Sequence, residues 1–242
     1  MSTALDQASR NFKSALKVAL WTVGIIWGIH LLQVLTGADY GTMGIYPRRQ
    51  FGLKGILFSP LLHSGWKHLI ANTPPLFVLT GIMFFFYRRV AVASFTAIYF
   101  LTGLAVWSFA RPDAFHIGAS GVVYGLVAFV FWTGIFRRNI RSIVLSLIVV
   151  VYYGGMFAGI LPTEERVSWE SHLFGALVGI FVAFWFKNRI EPEEKRPTWS
   201  WEQEGEAEKR YFLERDAFNK TKTEREQEKE RDGDGWYSTR TW

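Results

Sequence analysis

A serine and a histidine lie inside long apolar stretches of this 242-residue sequence, where polar side chains are costly. The serine is Ser120, in the run Gly118-Ala119-Ser120-Gly121, and the histidine is His172, in a later stretch. A serine hydroxyl becomes an effective nucleophile when a base takes its proton, and histidine is the usual base because its pKa is near neutrality. The pair predicts acyl-transfer chemistry that needs neither a metal nor an organic cofactor.

Three more residues are candidates to support this pair. His68 and Asn72 are four residues apart and share a helix face, as do Ser120 and Tyr124. An attacked carbonyl becomes an oxyanion, and the His68 ring, the Asn72 amide and the Ser120 backbone N–H can supply hydrogen-bond donors to it. Tyr124 is expected to stack on His172. The acidic residues of this region lie nearer the outer boundary, so we predict a Ser120–His172 dyad.

The elements that position these residues are predicted to be membrane-spanning helices. About 20 apolar residues cross the hydrocarbon core of a bilayer, and six such runs occur, at 17–36, 66–86, 91–109, 119–136, 141–160 and 169–186. Pro74 and Pro75 are expected to kink the second helix or break its hydrogen-bond ladder. Lys and Arg residues cluster before the first run and in alternate connections, which places both termini in the cytoplasm, although the connection 37–65 is also basic.

The depth of the polar residues can be counted from the basic residues that end their helices. Asn72 precedes Arg88, Ser120 precedes Arg137 and His172 precedes Lys187 by similar numbers of residues. At ~1.5 Å per residue, the three polar residues lie roughly 24, 26 and 22 Å from those ends. They therefore share one layer, several ångströms inside the outer surface of a core about 30 Å thick.

Small residues predict which helices pack together. The fourth run contains Gly121 and Gly125, and the sixth contains Gly175 and Gly179. This spacing allows membrane helices to approach closely. Packing of these two faces would bring Ser120 towards His172.

Composition divides the chain into three parts: a short cytoplasmic segment (1–16), a membrane domain (17–186) and a charged cytoplasmic tail (187–242). The tail has 13 basic and 15 acidic residues, whereas the rest has 14 basic and 6 acidic residues. The basic loops of a membrane protein usually face anionic lipid, so the basic charge does not indicate a nucleic-acid partner. The tail is expected to be disordered or partly helical. No cysteine is present, which excludes disulfides and cysteine nucleophiles.

Three motifs together resemble the rhomboid intramembrane serine proteases. They are His63-Ser-Gly-Trp-Lys-His68-Leu-Ile-Ala-Asn72, Gly118-Ala-Ser120-Gly121-Val-Val-Tyr124 and His172-Leu-Phe-Gly175-Ala-Leu-Val-Gly179. The resemblance implies an all-α membrane protein with a six-transmembrane-helix rhomboid-like bundle. It implies Ser120 as nucleophile, His172 as base, Tyr124 as the ring beneath the base, and His68 and Asn72 at the oxyanion hole. His63 would tie down the first loop.

The same resemblance implies the biological setting. The protein is expected to be a multi-pass protein of a bacterial inner membrane that cleaves transmembrane segments of single- or multi-pass substrates, with small residues at the cut. The alternative from this family is a catalytically weak rhomboid-like protein that binds membrane clients.

Other histidines of the sequence offer alternative chemistries. His116, four residues before Ser120, is a second candidate base. His63, His68 and His172 could together hold zinc, but no carboxylate is available at that depth to support them, so no metal site is predicted. His30 is expected to face protein or the interface. No repeat or intramembrane charge pair points to a transporter.

Overall fold

The computed structural model describes residues 2–112, 114–161, 168–191 and 219–231. Eight α-helices are present in these ranges: α1 (Ser2–Thr36), α2 (Gly55–Phe58), α3 (Trp66–Phe86), α4 (Arg88–Phe109), α5 (Ser120–Arg137), α6 (Ile140–Tyr153), α7 (Trp169–Trp185) and α8 (Lys222–Arg231). Short 3₁₀ segments join some of them, including Gly154–Ile160 directly after α6. Residues 1–195 form one unit and residues 196–242 a second.

Five helical segments are long and apolar enough to cross a membrane: Leu5–Thr36, Trp66–Phe86, Arg88–Phe109, Ser120–Arg137 and Ile140–Ile160. The sixth predicted span coincides with α7, which is apolar but has only 17 residues. At ~1.5 Å per residue it is about 26 Å long, less than the roughly 30 Å of a hydrocarbon core. The all-helical membrane fold is confirmed, and the count of six spans stays a prediction.

Helix α3 continues through Pro74 and Pro75 without interruption. Because proline has no backbone N–H, the helical ladder loses two donors here. Side chains just before the prolines bond to the preceding turn: the Asn72 amide donates to the His68 carbonyl at 2.9 Å and the Thr73 hydroxyl to the Leu69 carbonyl at 2.8 Å. The helix does not end at the prolines, and their missing N–H groups deprive the Ile70 and Ala71 carbonyls of their usual helical donors.

Helix α5 lies at the centre of the bundle, because most of its residues are buried. Leu126, Phe129 and Val130 are almost fully buried and belong to a core shared with α3, α4, α6 and α7. The helix ends at Arg138, which has a left-handed backbone, and Asn139 then caps α6 by accepting a bond from the Ser142 N–H at 2.8 Å. Ser120, the first residue of this central helix, therefore lies among the other helices of the bundle.

The first loop, residues 37–65, is fastened to the segment before α5. Ile45 and His116 form a two-bond antiparallel bridge, with N–O distances of 3.0 and 2.8 Å. The Gly118 N–H donates to the Ser59 carbonyl at 2.9 Å, and the Ser59 hydroxyl donates to the His116 carbonyl at 2.8 Å. The loop therefore fixes the backbone that leads into Ser120.

The chain after α7 is fastened at the opposite ends of α5 and α7. Glu191 is 2% exposed and accepts a bond from the Arg89 N–H, at the start of α4, at 2.8 Å. The Arg89 guanidinium donates to the Ile190 carbonyl at 2.9 Å, and Arg137 donates to the Arg189 carbonyl at 2.9 Å. Residues 187–191, predicted as the start of the tail, thus pack on the helical bundle.

The second unit is described only at 219–231, and the predicted tail otherwise lies outside the described residues. Thr221 and Glu224 cap α8: the Thr221 N–H and hydroxyl donate to the Glu224 carboxylate at 2.7 and 2.9 Å. Lys220 pairs with Glu228 at 2.6 Å. Residues 222–231 of the predicted tail are helical.

Candidate active site

A cavity of about 1050 Å³ lies at the ends of α3, α5 and α7 nearest the first loop. Its walls include five of the predicted site residues: His68, Asn72, Ser120, Tyr124 and His172. They come from three helices that are distant in sequence. Asn72, Ser120 and His172, which the sequence places at one depth, therefore line the same cavity.

Ser120 is the first residue of α5, so its backbone N–H is among the donors that the helix leaves unsatisfied. Gly118, two residues earlier, has φ +118°, a conformation that favours glycine. A Cβ at Gly118 would lie 2.5 Å from Cε1 and 2.7 Å from Nε2 of the His68 ring. The His68 imidazole therefore packs directly on the backbone that leads into Ser120.

The His172 ring is held in one orientation. It stacks on Tyr124 with a centroid distance of 4.1 Å and an interplanar angle of 8°. Its Nδ1 lies 2.8 Å from the Gly159 carbonyl oxygen. A carbonyl can only accept, so Nδ1 carries the hydrogen, and in the neutral ring Nε2 is left with its lone pair.

No hydrogen bond joins Ser120 to His172 in the described structure, although both side chains line the cavity. Catalytic hydrogen bonds are often long in empty sites and shorten when substrate binds. The orientation of the His172 ring is therefore set without a bond to Ser120.

Helices α5 and α7 pack closely through their glycines. A Cβ at Gly175 would lie 2.0 Å from the Gly121 carbonyl oxygen, and a Cβ at Gly179 would lie 2.2 Å from that of Gly125. Only glycine fits at these two positions of α7. The contact predicted from the small residues is confirmed, and it brings His172 to the cavity that Ser120 lines.

Polar groups of α3 form another part of the cavity wall. The His68 Nδ1 lies 3.3 Å from the Ser64 hydroxyl oxygen. Asn72, which is 5% exposed, uses one N–H of its amide on the His68 carbonyl, so its second N–H and its oxygen remain for the cavity. His68 and Asn72 can therefore present donors beside the Ser120 backbone N–H.

His63 lies behind His68, with 5.1 Å between the ring centroids. It is 1% exposed and is absent from the cavity wall. Burial, and secondarily the neighbouring His68 and His30, lowers the pKa of His63 from 6.5 to about 3. A neutral, buried ring in this place fits a structural role in holding the first loop.

The two remaining histidines have other neighbours. His116 lines the cavity, but its Nδ1 is bonded to the Ser168 hydroxyl and its backbone to Ile45. Burial lowers the pKa of His116. His30 is buried and meets Trp66 edge-on, with 4.7 Å between ring centroids. Neither ring is bonded to Ser120.

The described residues contain no group of three His, Cys, Asp or Glu side chains that could hold a metal ion. Glu170, the acidic residue nearest His172 in sequence, is buried and pairs with Arg111 at 3.3 Å. The nitrogen of His172 that a triad carboxylate would bind is occupied by the Gly159 carbonyl. For the zinc alternative, the described residues therefore offer no cluster of three possible ligands.

Sequence reasoning missed the segment Gly154–Ile160. Besides the Gly159 contact, the Met156 carbonyl accepts a bond from the Tyr124 hydroxyl at 2.7 Å. Backbone carbonyls have no signature in a sequence, and the only available signal is the glycine at position 159.

A family model described as the Rhomboid domain matches residues 50–189, more than half of the chain and all of the cavity-lining helices α3, α5 and α7. The chain belongs to the rhomboid family. Members of this rhomboid family are generally serine proteases that act on membrane proteins within the bilayer, and the chain is a multi-pass membrane protein.

The chain is also similar to individual bacterial proteins. An uncharacterized protein of Mycobacterium tuberculosis is 36% identical over 170 residues, covering 67% of this chain and 71% of the relative. An uncharacterized Mycobacterium leprae protein is 34% identical over 179 residues, 67% of each chain. A Bacillus subtilis protein named "Putative rhomboid protease YdcA" is 25% identical over 129 residues, 51% of this chain and 62% of that protein. This rhomboid chain is therefore similar to proteins of two bacterial genera.

Proposed function

We propose that this rhomboid chain is an intramembrane serine endopeptidase with a Ser120–His172 dyad. The observation that carries the proposal is the orientation of His172: with Nδ1 bonded to a carbonyl and the ring stacked on Tyr124, the free nitrogen is Nε2. A general base needs that lone pair on the side of the nucleophile, and Ser120 lines the same cavity.

The reaction follows from these positions. The Ser120 Oγ attacks the carbonyl carbon of the scissile peptide while His172 Nε2 takes the hydroxyl proton. The oxyanion receives hydrogen bonds from the Ser120 N–H, His68 and Asn72. His172 then gives its proton to the leaving amine as the C–N bond breaks, and water hydrolyses the acyl-enzyme with His172 again as base. Loss of one oxyanion donor costs about 2.7–4 kcal/mol in other serine hydrolases.

The neighbouring glycines serve this geometry. Gly118 leaves room for the His68 ring, and Gly121 accepts the close approach of Gly175 on α7. His63 supports His68 from behind, and Gly179 continues the α5–α7 contact. We assign Gly118 and Gly121 to the support of the oxyanion site, and His63, Gly175 and Gly179 to structural roles.

The substrate class follows from the setting of the site. A cavity at the ends of membrane helices admits water to a layer surrounded by lipid, so the substrate is a transmembrane segment that unwinds near its outer end. We propose single- or multi-pass substrates with small residues at the cut. We also propose a bacterial inner-membrane location, cytoplasmic termini, six spans in residues 17–186, and a cytoplasmic tail after them.

Cleavage by the purified full-length chain in proteoliposomes tests this function. The probe is a single-span model segment with an Ala-Gly pair followed by a helix-weakening Pro near its outer end. Wild type should cut it in the outer third of the span, as mapped by mass spectrometry, and Ser120→Ala should not. Binding of the segment without cleavage, or equal cleavage by Ser120→Ala, would overturn the proposal and favour a client-binding protein.

A further inference from the structure

The segment Gly154–Ile160, here called the carbonyl segment, holds both rings of the candidate base assembly. Its Met156 carbonyl accepts a bond from the Tyr124 hydroxyl at 2.7 Å, and its Gly159 carbonyl accepts one from His172 Nδ1 at 2.8 Å. Tyr124 belongs to α5 and His172 to α7, so a third element joins the two stacked rings. Side chains of the carbonyl segment supply neither contact.

We propose that Gly159 is a positioning residue that sets the tautomer of His172 through its backbone carbonyl. In a serine–histidine–aspartate triad the carboxylate holds the imidazole with hydrogen on Nδ1, so that Nε2 can take the serine proton. The Gly159 carbonyl occupies the corresponding place on His172. The inference rests on the proposed function, because a base needs a set tautomer only if it accepts a proton.

The residue at position 159 must be glycine for steric reasons. A Cβ there would lie 2.1 Å from the Tyr124 hydroxyl oxygen and 3.3 Å from His172 Nδ1. A side chain there would therefore force the carbonyl segment and the Tyr124 ring apart, which disturbs the contacts that hold His172. Gly154 and Gly155, in the same segment, have no atom within 4 Å of an added Cβ. Of the three glycines in this segment, only Gly159 has no room for a side chain.

A carbonyl also differs from a carboxylate in what it can do for the charged intermediate. It fixes the hydrogen on Nδ1 and accepts a bond from the imidazolium, but it has no net charge to offset the positive ring. Hydrogen bonds to charged groups are stronger than those between neutral groups. Loss of the Gly159 bond should therefore slow the reaction by about 10–100-fold.

Gly159 does not line the cavity, whereas Met156 does. A substitution at Gly159 therefore changes no residue of the cavity wall directly, and it acts on His172 through the Gly159 carbonyl. The expected signature is a fall in kcat of about 10–100-fold with KM unchanged within about twofold. A general loosening of the substrate site would raise KM as well.

The test compares Gly159→Ala with the matched control Gly155→Ala in the full-length chain. Histidines labelled with ¹⁵N and ¹³C report tautomers by NMR, and His172 is assigned by the signal that His172→Gln removes. Measured at a pH where the ring is neutral, wild-type His172 should carry its hydrogen on Nδ1. Gly159→Ala should shift the population towards the Nε2–H form, and Gly155→Ala should not.

These spectra are recorded in the Ser120→Ala background, so they do not depend on activity. A wild-type His172 with hydrogen on Nε2 would overturn the inference without any variant at position 159, even if Gly159→Ala fails to fold. An unchanged tautomer in Gly159→Ala, or an equal shift in Gly155→Ala, would also overturn it. If the tautomer behaves as expected but no Ser120-dependent cleavage occurs, the proposed function fails and the contact stands.

Discussion

In the proposed dyad, two contacts prepare His172 for base catalysis without a carboxylate. The ring has one face on Tyr124 and one nitrogen on the Gly159 carbonyl, so two contacts of different kinds define its plane and its tautomer. Stacking fixes the plane but leaves the tautomer open, whereas the hydrogen bond decides the tautomer. Both are needed for Nε2 to serve as the acceptor.

His63 leads to a pH prediction at the residue scale. Its pKa is about 3 in the folded protein and near 6.5 in an unfolded chain. Between these values the unfolded state binds more protons, so the free energy of unfolding should fall as the pH drops from about 6.5 to about 3. The slope from this one group is at most about 1.4 kcal/mol per pH unit, and its contribution is complete above pH 6.5.

The measurement is thermal or denaturant unfolding of the detergent-solubilised protein in steps from pH 7 to pH 4. His63→Gln removes the titrating group, so its stability should decline less steeply with acid than that of wild type. Parallel declines in the two proteins would contradict the low pKa assigned to His63.

The side chains of the site could be predicted from the sequence because helices have a constant rise. Counting residues from a basic end places Asn72, Ser120 and His172 at one depth, and all three line one cavity. The Gly159 carbonyl could not be predicted in this way. It lies in a 3₁₀ segment within the predicted fifth span, and any residue has a carbonyl.

At the scale of elements, the contact between α5 and α7 positions the site. Gly175→Ala would place a methyl group 2.0 Å from the Gly121 carbonyl oxygen. The backbones must separate, and overpacking of this kind costs about 1–3 kcal/mol. We expect a lower unfolding temperature in detergent together with reduced cleavage, because His172 moves with α7.

Gly81→Ala is the matched control, since Gly81 lies inside α3 and an added Cβ there meets nothing within 4 Å. It should unfold at or above the wild-type temperature. Equal losses of stability in the two variants would show that helical glycines matter here for a reason other than close packing.

The prolines of α3 mark a different limit of sequence reasoning. A kink or a broken ladder could be expected, but which of the two occurs depends on how neighbouring groups compensate. Here the helix continues through both prolines. The Asn72 and Thr73 side chains bond to carbonyls one turn earlier, which are not the two carbonyls that lose a proline donor. Asn72 is therefore both a member of the cavity wall and a part of the helix that carries it.

At the scale of the whole molecule, the chain after α7 closes the bundle at the end away from the cavity. Glu191→Ala removes the acceptor of the Arg89 N–H and the carboxylate that lies 4.0 Å from Arg88. An unsatisfied buried donor costs about 1–3 kcal/mol, so the unfolding temperature should fall. Cleavage by the folded variant should be unchanged, since Glu191 is far along the helices from Ser120.

Glu226→Ala provides the control, because Glu226 is an exposed glutamate of α8. Removing it should leave the unfolding temperature of the bundle unaltered. If Glu191→Ala is as stable as Glu226→Ala, residues 187–191 do not hold the bundle together. The sequence could not reveal this contact, since Glu191 stands among charged residues that resemble a solvated tail.

The most direct test of the whole account is labelling with a serine-directed fluorophosphonate in native membranes, followed by mass spectrometry of the labelled peptide. The dyad predicts one adduct, on Ser120, that disappears in Ser120→Ala and His172→Ala but persists in His116→Ala. An unlabelled wild-type protein, an adduct on another serine, or loss of labelling only in His116→Ala would contradict it.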